Sequence, residues 1–222
     1  MPSPALLIRD LAFRWPEGDG FALHLPMLAV HDGKSLFLHG PSGSGKSTLL
    51  NLIGGVLTPQ AGRIELLGQP FSDFASSHRD AFRADHIGFV FQQFNLIPYL
   101  SVLDNVLLPC RFSARRAEQA GDAPATARAL LARLDIAPEL HGRPAHALSV
   151  GQQQRVAAAR ALIGKPEILV ADEPTSALDA ARQAAFIDLL LDEARANGSA
   201  VVFVSHDLGL AAHFDDCLEL AA

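Results

Sequence analysis

Residues 40–48 read GPSGSGKST, which combines glycines, a lysine and hydroxyl side chains in a spacing suited to phosphate binding. Glycine adopts positive φ and approaches an anion closely, so successive N–H groups of such a loop can converge on phosphate oxygens. Lys46 would reach the β- and γ-phosphates, and the Ser47 hydroxyl would bind Mg²⁺. We predict that a nucleoside triphosphate binds to eight residues here: Gly40, Ser42, Gly43, Ser44, Gly45, Lys46, Ser47 and Thr48.

Two acidic residues, Asp172 and Glu173, directly follow the apolar run ILVA at residues 168–171. An aspartate in that position can hold Mg²⁺, and the neighbouring glutamate can polarise an attacking water molecule. Adjacent acids can also be no more than a solvated strand end. Their place in a chain with a phosphate-binding loop favours hydrolysis.

A histidine, His206, follows a second apolar run, AVVFV at residues 200–204. A neutral imidazole there could donate a hydrogen bond to the γ-phosphate or orient the water. The chain contains nine histidines, so the residue type alone is a weak signal.

The elements that must position these side chains alternate between strands and helices. An apolar run at residues 35–39 precedes the phosphate-binding loop and predicts a buried strand, and leucines at helical spacing follow it. Residues 168–171 and 200–204 are typical of buried parallel strands, whose carboxyl ends carry active residues. The sequence therefore predicts an α/β fold.

The flanking segments predict two additions to this core. Residues 5–39 mix short apolar runs with a turn signal at residues 16–20, which indicates a small antiparallel β region, and residues 62–68 form another short strand. Residues 113–135 are rich in alanine, arginine and leucine, with leucines at helical spacing. That stretch predicts a helical lobe.

Composition narrows the class of protein. A chain of 222 residues suits one composite domain, and its net charge of −6 argues against nucleic acid as the main partner. The two cysteines, Cys110 and Cys217, lie far apart without metal-site spacing. Because no run approaches the ~20 apolar residues needed to span a bilayer, we expect a soluble protein that is not exported.

Further motifs show a resemblance to a known family. The run LSVGQQQR at residues 148–155 lies upstream of the acidic pair, FVFQQ contains Gln92, and SALD occupies residues 176–179. With the phosphate-binding loop and His206, the chain resembles the ATP-binding cassette (ABC) ATPases over almost its whole length. The resemblance implies a single domain over residues 1–222. Its phosphate-loop NTPase core has a mainly parallel sheet (about 1–90 and 160–222, with the antiparallel region), and its helical subdomain spans 91–159.

The resemblance also implies a function. In this family two copies pack head to tail around two ATP molecules, each held between the phosphate-binding loop of one copy and the LSVGQ-type signature of the other. It makes Glu173, His206 and Gln92 the catalytic residues, and it adds five nucleotide-binding residues: Trp15, Ser149, Gly151, Gln152 and Asp179. Mg²⁺ would be held by Ser47, Gln92 and Asp172. Trp15 would stack on adenine, although a lone tryptophan is often only a packing residue.

The signature departs from the family pattern at Val150, where a second glycine is usual, and at Ala147, where an acidic residue is common. A β-branched residue adopts positive φ only at a cost, so a left-handed backbone at Val150 would be strained. We expect Val150 to be tolerated, with a lower hydrolysis rate as one consequence of such strain.

Within the family, residues 91–98 and 101–106 are similar to cassettes of the lipoprotein-releasing and macrolide-export type. This similarity implies a multi-spanning membrane permease as partner, driven for export, lipoprotein release or mechanotransmission, and a location on the inner face of the bacterial cytoplasmic membrane. Residues 91–112 would contact that partner. A soluble cassette ATPase, such as a metal-cluster assembly factor, is the alternative, and a phosphate-loop kinase or GTPase is disfavoured by the signature.

Overall fold

The computed structural model describes residues 3–15, 22–176 and 178–221, so the predicted turn at residues 16–20 and position 177 of the SALD motif lie outside the described residues. The strands are β1 Leu6–Arg14, β2 Ala22–Val30, β3 Ser35–His39, β4 Ala61–Leu66, β5 Ile87–Val90, β6 Ile168–Asp172, β7 Ala200–Val204 and β8 Asp216–Glu219. The helices are α1 Lys46–Ile53, α2 Ser76–His86, α3 Val102–Phe112, α4 Ala114–Ala120, α5 Ala123–Arg133, α6 Val150–Leu162 and α7 Ala180–Asn197. In these ranges, no helix is long and apolar enough to cross a membrane.

The strands form two sheets. One has five strands in the order β5-β6-β7-β3-β8, and every pairing in it is parallel. The other has three antiparallel strands in the order β2-β1-β4. The predicted α/β fold with a mainly parallel sheet and an antiparallel β region is therefore confirmed.

The central strands are buried on both faces, which is why their sequences are continuous apolar runs. Along each strand, successive side chains enter two different apolar clusters. Phe37, Leu169 and Phe203 pack in the cluster that contains buried residues of α3, α5, α6 and α7. Their neighbours Leu36 and Val170 pack in the cluster shared with α1 and the antiparallel sheet. Functional side chains must therefore lie at the strand ends.

The predicted helical stretch at residues 113–135 is divided into α4 and α5 by local capping. Ser113 caps α4 by accepting a hydrogen bond from the Arg116 N–H group. The chain then turns at Gly121, whose φ is 61°, and the Asp122 side chain caps α5. This stretch therefore contains two short helices, and each begins at a side chain that accepts a hydrogen bond from a free N–H group of its first turn.

Asp215 joins the starts of two strands in the parallel sheet. Its carboxylate accepts hydrogen bonds from the Lys34 ammonium group at 2.9 Å, from the Ser35 N–H group at 2.9 Å and from the Ser35 hydroxyl at 2.8 Å. The hydrogen bond from Lys34 lowers the pKa of Asp215 most, and the bonds from Ser35 lower it further. Burial acts in the opposite direction, and the resulting pKa is about 2, compared with the ordinary value of 3.8.

We expect Asp215→Asn to lower the free energy of unfolding at pH 7 by about 1 kcal/mol, because the charged acceptor is lost. The stabilisation by a carboxylate with a depressed pKa is complete above the unfolded-state pKa of 3.8 and disappears as the pH falls towards 2. The difference from the unmodified chain in urea unfolding should therefore shrink below pH 4. Asp216→Asn, an exposed neighbour, is the control. A loss that stays constant with pH would contradict this role for the Asp215 charge.

Candidate nucleotide site

The phosphate-binding loop joins β3 to α1 and depends on its glycines. Gly40, Gly43 and Gly45 have φ values of 153°, 83° and 93°. A Cβ atom on Gly40 would lie 2.4 Å from the carbonyl oxygen of Leu220 and 2.8 Å from the hydroxyl of Ser44. The first glycine is therefore required by close packing as well as by its backbone conformation.

The only lysine of this loop already lies across it. The Lys46 Nζ atom donates hydrogen bonds to the carbonyl oxygens of Gly40 at 2.8 Å and Pro41 at 2.9 Å. Although the residue is buried, it lines the cavity above the loop. Its positive charge is thus placed where phosphate oxygens would bind.

An open cavity of about 370 Å³ lies over the loop. It is lined by Trp15, Ser42, Gly43, Gly45, Lys46, Ser47, Thr48, Glu173 and His206. The Trp15 indole N–H group lies 3.4 Å from the Thr48 hydroxyl, and the ring packs edge-on against Phe13. The structure therefore brings the single tryptophan of the chain to the phosphate-binding loop, with 43% of its surface exposed.

Glu173 is the point at which three segments of chain meet. Its φ is 44°, an unusual value for a residue other than glycine. One carboxylate oxygen contacts Nε2 of His206, and the other lies 3.4 Å from the side-chain nitrogen of Gln92. The carboxylate is thus held by residues that follow β7 and β5, and strain of this kind is characteristic of functional sites.

Asp172 ends β6 beside the phosphate-binding loop. Burial and the neighbouring Glu173 charge raise the pKa of its carboxyl group, and a hydrogen bond with Ser47 opposes them. A carboxylate next to a hydroxyl suits Mg²⁺, which usually takes one or two protein oxygens and completes its shell with substrate phosphates and water. Gln92, which contacts Glu173, could add an amide oxygen.

The signature residues lie around a different cavity, of about 490 Å³. It is lined by Ser149, Val150, Gly151, Gln152, Gln154, Arg155, Leu178, Arg182 and Phe186. Ser149 and Gln152 form a capping box at the start of α6, with the Ser149 N–H group 3.0 Å from the Gln152 side-chain oxygen. Val150 is the first helical residue, so the left-handed strain considered for it does not arise.

In one chain, the structure therefore brings Trp15, the phosphate-binding loop, Gln92, the acidic pair and His206 together. Among the described residues, none lines both cavities. The Asp179 carboxylate caps α7 by accepting a hydrogen bond from the Arg182 N–H group at 3.1 Å. Sequence reasoning missed Leu178, Arg182 and Phe186 beside the signature. Helical spacing from the Asp179 cap could have indicated the last two, which lie on α7.

Comparisons with known sequences agree on one family. Residues 23–176 match the family described as ABC transporter. The ABC transporter ATP-binding protein YbbA of Escherichia coli K12 is 45% identical over 193 residues, covering 87% of this chain and 83% of YbbA. The macrolide export ATP-binding/permease protein MacB of Rhodopseudomonas palustris BisB18 is 37% identical over all of this chain, which spans 33% of that protein.

Solved structures give the same result. The dimeric bacterial ABC transporter cassette MJ0796 superposes with a TM-score of 0.82 at 34% identity, over 97% of this chain and 94% of that one. The same cassette in a post-hydrolysis dimer bound to ADP and Pi superposes equally well, with a TM-score of 0.82. The match extends over both the parallel and the antiparallel sheets of this chain, since nearly all of it is covered.

We expect Lys46→Ala to weaken nucleotide binding by about 100-fold, because the loop loses its charged donor to the phosphates. Trp15, as the single tryptophan, provides the fluorescence signal for the titration. Lys165→Gln, an exposed lysine outside the cavity, is the matched control. Unchanged affinity in Lys46→Ala would contradict the assigned phosphate site.

Proposed function

The chain belongs to the ABC transporter family as an ATP-binding and ATP-hydrolysing subunit, and we propose that two copies of it close around two ATP molecules to drive a membrane permease. The observation that carries this proposal is the separation of the two cavities. The phosphate-binding loop and Glu173 line one, and the signature at the start of α6 lines the other. Each is half of an ATP site.

A head-to-tail pair of copies would unite the halves. The start of α6 offers backbone N–H groups and the positive end of the helix dipole, which suit a γ-phosphate. Ser149 and Gly151 are at that end, on the wall of the signature cavity. The dimeric form of the similar cassette MJ0796 supports this arrangement.

Hydrolysis would depend on Glu173 as the base that activates water. His206 and Gln92 hold its two carboxylate oxygens, and Lys46 stabilises negative charge on the γ-phosphate. Ser47, Asp172 and Gln92 would hold Mg²⁺, which would neutralise negative charge on the phosphates. Once the γ-phosphate is cleaved, the signature of the second copy loses its contact and the pair opens.

The permease would bind beside the segment that carries Gln92. A groove of about 400 Å³ lies there, with apolar walls that include Phe91, Pro109 and Phe112. Phe112 is 78% exposed, an unusual position for a phenylalanine without a partner. In this proposal residues 91–159 form the helical subdomain that carries the groove, and residues 1–90 and 160–222 form the core.

Because the proposed partner is a membrane permease, the proposed location of this chain is the inner face of the bacterial cytoplasmic membrane. The relatives YbbA and MacB are both transporter proteins by name, which favours this role over a soluble assembly factor. The names of the macrolide-export relatives support export as the process that the permease carries out. The similarity of residues 91–98 and 101–106 to the lipoprotein-releasing type keeps lipoprotein release or mechanotransmission within the proposal.

We expect Glu173→Gln to lower kcat for ATP by about 100-fold or more, because the general base is removed while the shape of the side chain is kept. ATP should then convert the variant to a stable dimer, measured by light scattering after size-exclusion chromatography. The double variant Lys46→Ala/Glu173→Gln should stay monomeric. Normal turnover without a trapped dimer would refute the role of Glu173.

Capture from detergent-solubilised native membranes tests the permease. Tagged Glu173→Gln chain with ATP should co-purify with a multi-spanning protein, and Phe112→Ser should reduce the yield because the groove loses an exposed apolar contact. Met27→Ser, an exposed apolar residue of β2, is the control. Reproducible capture of soluble partners alone would contradict the proposed function.

A further inference from the structure

The segment after β5 contains a tight turn with an unfavourable backbone. Phe94 and Asn95 have φ values of 59° and 48°. The Phe94 N–H group donates to the carbonyl oxygen of Phe91 at 2.9 Å, and the Asn95 N–H group donates to that of Gln93 at 2.6 Å. Left-handed backbone is unfavourable for a residue such as phenylalanine, so neighbouring contacts must hold the turn.

Arg160, in the last turn of α6, supplies those contacts. Its two terminal nitrogens donate to the carbonyl oxygens of Phe94 and Asn95, each at 2.6 Å. The planar guanidinium group can bind two acceptors at once, whereas lysine offers a single charged point. Burial lowers the pKa of Arg160, but the ordinary pKa of arginine is high enough for the group to stay charged at neutral pH.

The carboxyl end of α6 is held in place by a side chain of α4. The buried Arg116 of α4 donates from Nε to the carbonyl oxygen of Ile163 at 2.8 Å and also bonds the carbonyl oxygen of Ala161. Arg160 therefore extends from an anchored helix end. On the far side of the turn, buried Asn105 bonds the backbone N–H and carbonyl groups of Ile97.

The turn determines where Gln92 lies. Gln92 is two residues before Phe94, and its side-chain nitrogen reaches the Glu173 carboxylate at 3.4 Å. Arg160 and Asn95 also line the groove beside this segment. The two hydrogen bonds from Arg160 thus connect helix α6 to the segment that carries Gln92, and they lie at the wall of the groove.

We propose that Arg160 is a positioning residue for hydrolysis, which keeps residues 94 and 95 in the left-handed conformation and so fixes Gln92 beside Glu173. The inference rests on the proposed function, because it assigns a support to that same site.

The test compares steady-state ATP hydrolysis by Arg160→Met, Arg160→Lys and the unmodified chain. We expect Arg160→Met to lower kcat by about 10-fold, with KM for ATP within about two-fold, since Arg160 lies outside the nucleotide cavity. Arg160→Lys should be intermediate, because one ammonium group does not bind both carbonyl oxygens with the same geometry. Arg133→Met removes an exposed arginine paired with Glu193 and is the control.

A second-site rescue separates positioning from stability. Glycine adopts positive φ freely, and the Asn95 side chain is exposed, so Asn95→Gly in the Arg160→Met background should recover about three-fold in kcat. Thermal unfolding of each variant measures the folded fraction. Unchanged kcat in Arg160→Met, or a loss that follows the folded fraction and is not rescued, would overturn the inference. If either result overturns the role of Arg160, the Glu173→Gln variant still tests the proposed function separately. Loss of ATP hydrolysis in Glu173→Gln would support the proposed function, and retained hydrolysis would contradict it.

Discussion

Two backbone hydrogen bonds at the carboxyl edge of the parallel sheet hold the nucleotide site together. The Glu173 N–H group donates to the carbonyl oxygen of Val204 at 3.0 Å, and the Ser205 N–H group donates to that of Leu38 at 3.3 Å. They extend the ladder of β6, β7 and β3 by one step beyond the strands. Because parallel strands end on the same edge, the acidic pair, His206 and the phosphate-binding loop must lie side by side.

Under the proposed function, this edge forms one half of an ATP site. The signature faces its own cavity at the start of α6, and in the part of the chain that the structure describes no residue lines both that cavity and the one over the phosphate-binding loop. In the proposed function a second copy supplies the missing half, so that nucleotide binding is coupled to dimerisation. The bonds from Arg160 to the strained turn after β5 lie between the groove and the segment that carries Gln92.

The site was predictable where its residues are contiguous in sequence. The phosphate-binding loop and the runs of β3, β6 and β7 are local patterns, so their types and ends agree with the structure. Helix α2 is mostly polar and has Phe82 as its buried residue, and β8 is short and mostly exposed, so neither contains the apolar run that marks a buried element, and neither was predicted. Strand order and the role of Arg160 depend on contacts between distant segments, which one sequence does not encode locally.

Completion of the ATP site by a second copy can be measured by photolabelling. A tagged Lys46→Ala copy is mixed with a Glu173→Gln copy and an ATP analogue that carries a photoreactive group on its γ-phosphate. We expect the label on residues 149–155 of the Lys46→Ala copy, because nucleotide held by the partner's phosphate-binding loop faces that signature. Label confined to the Glu173→Gln copy would contradict a site shared between two chains.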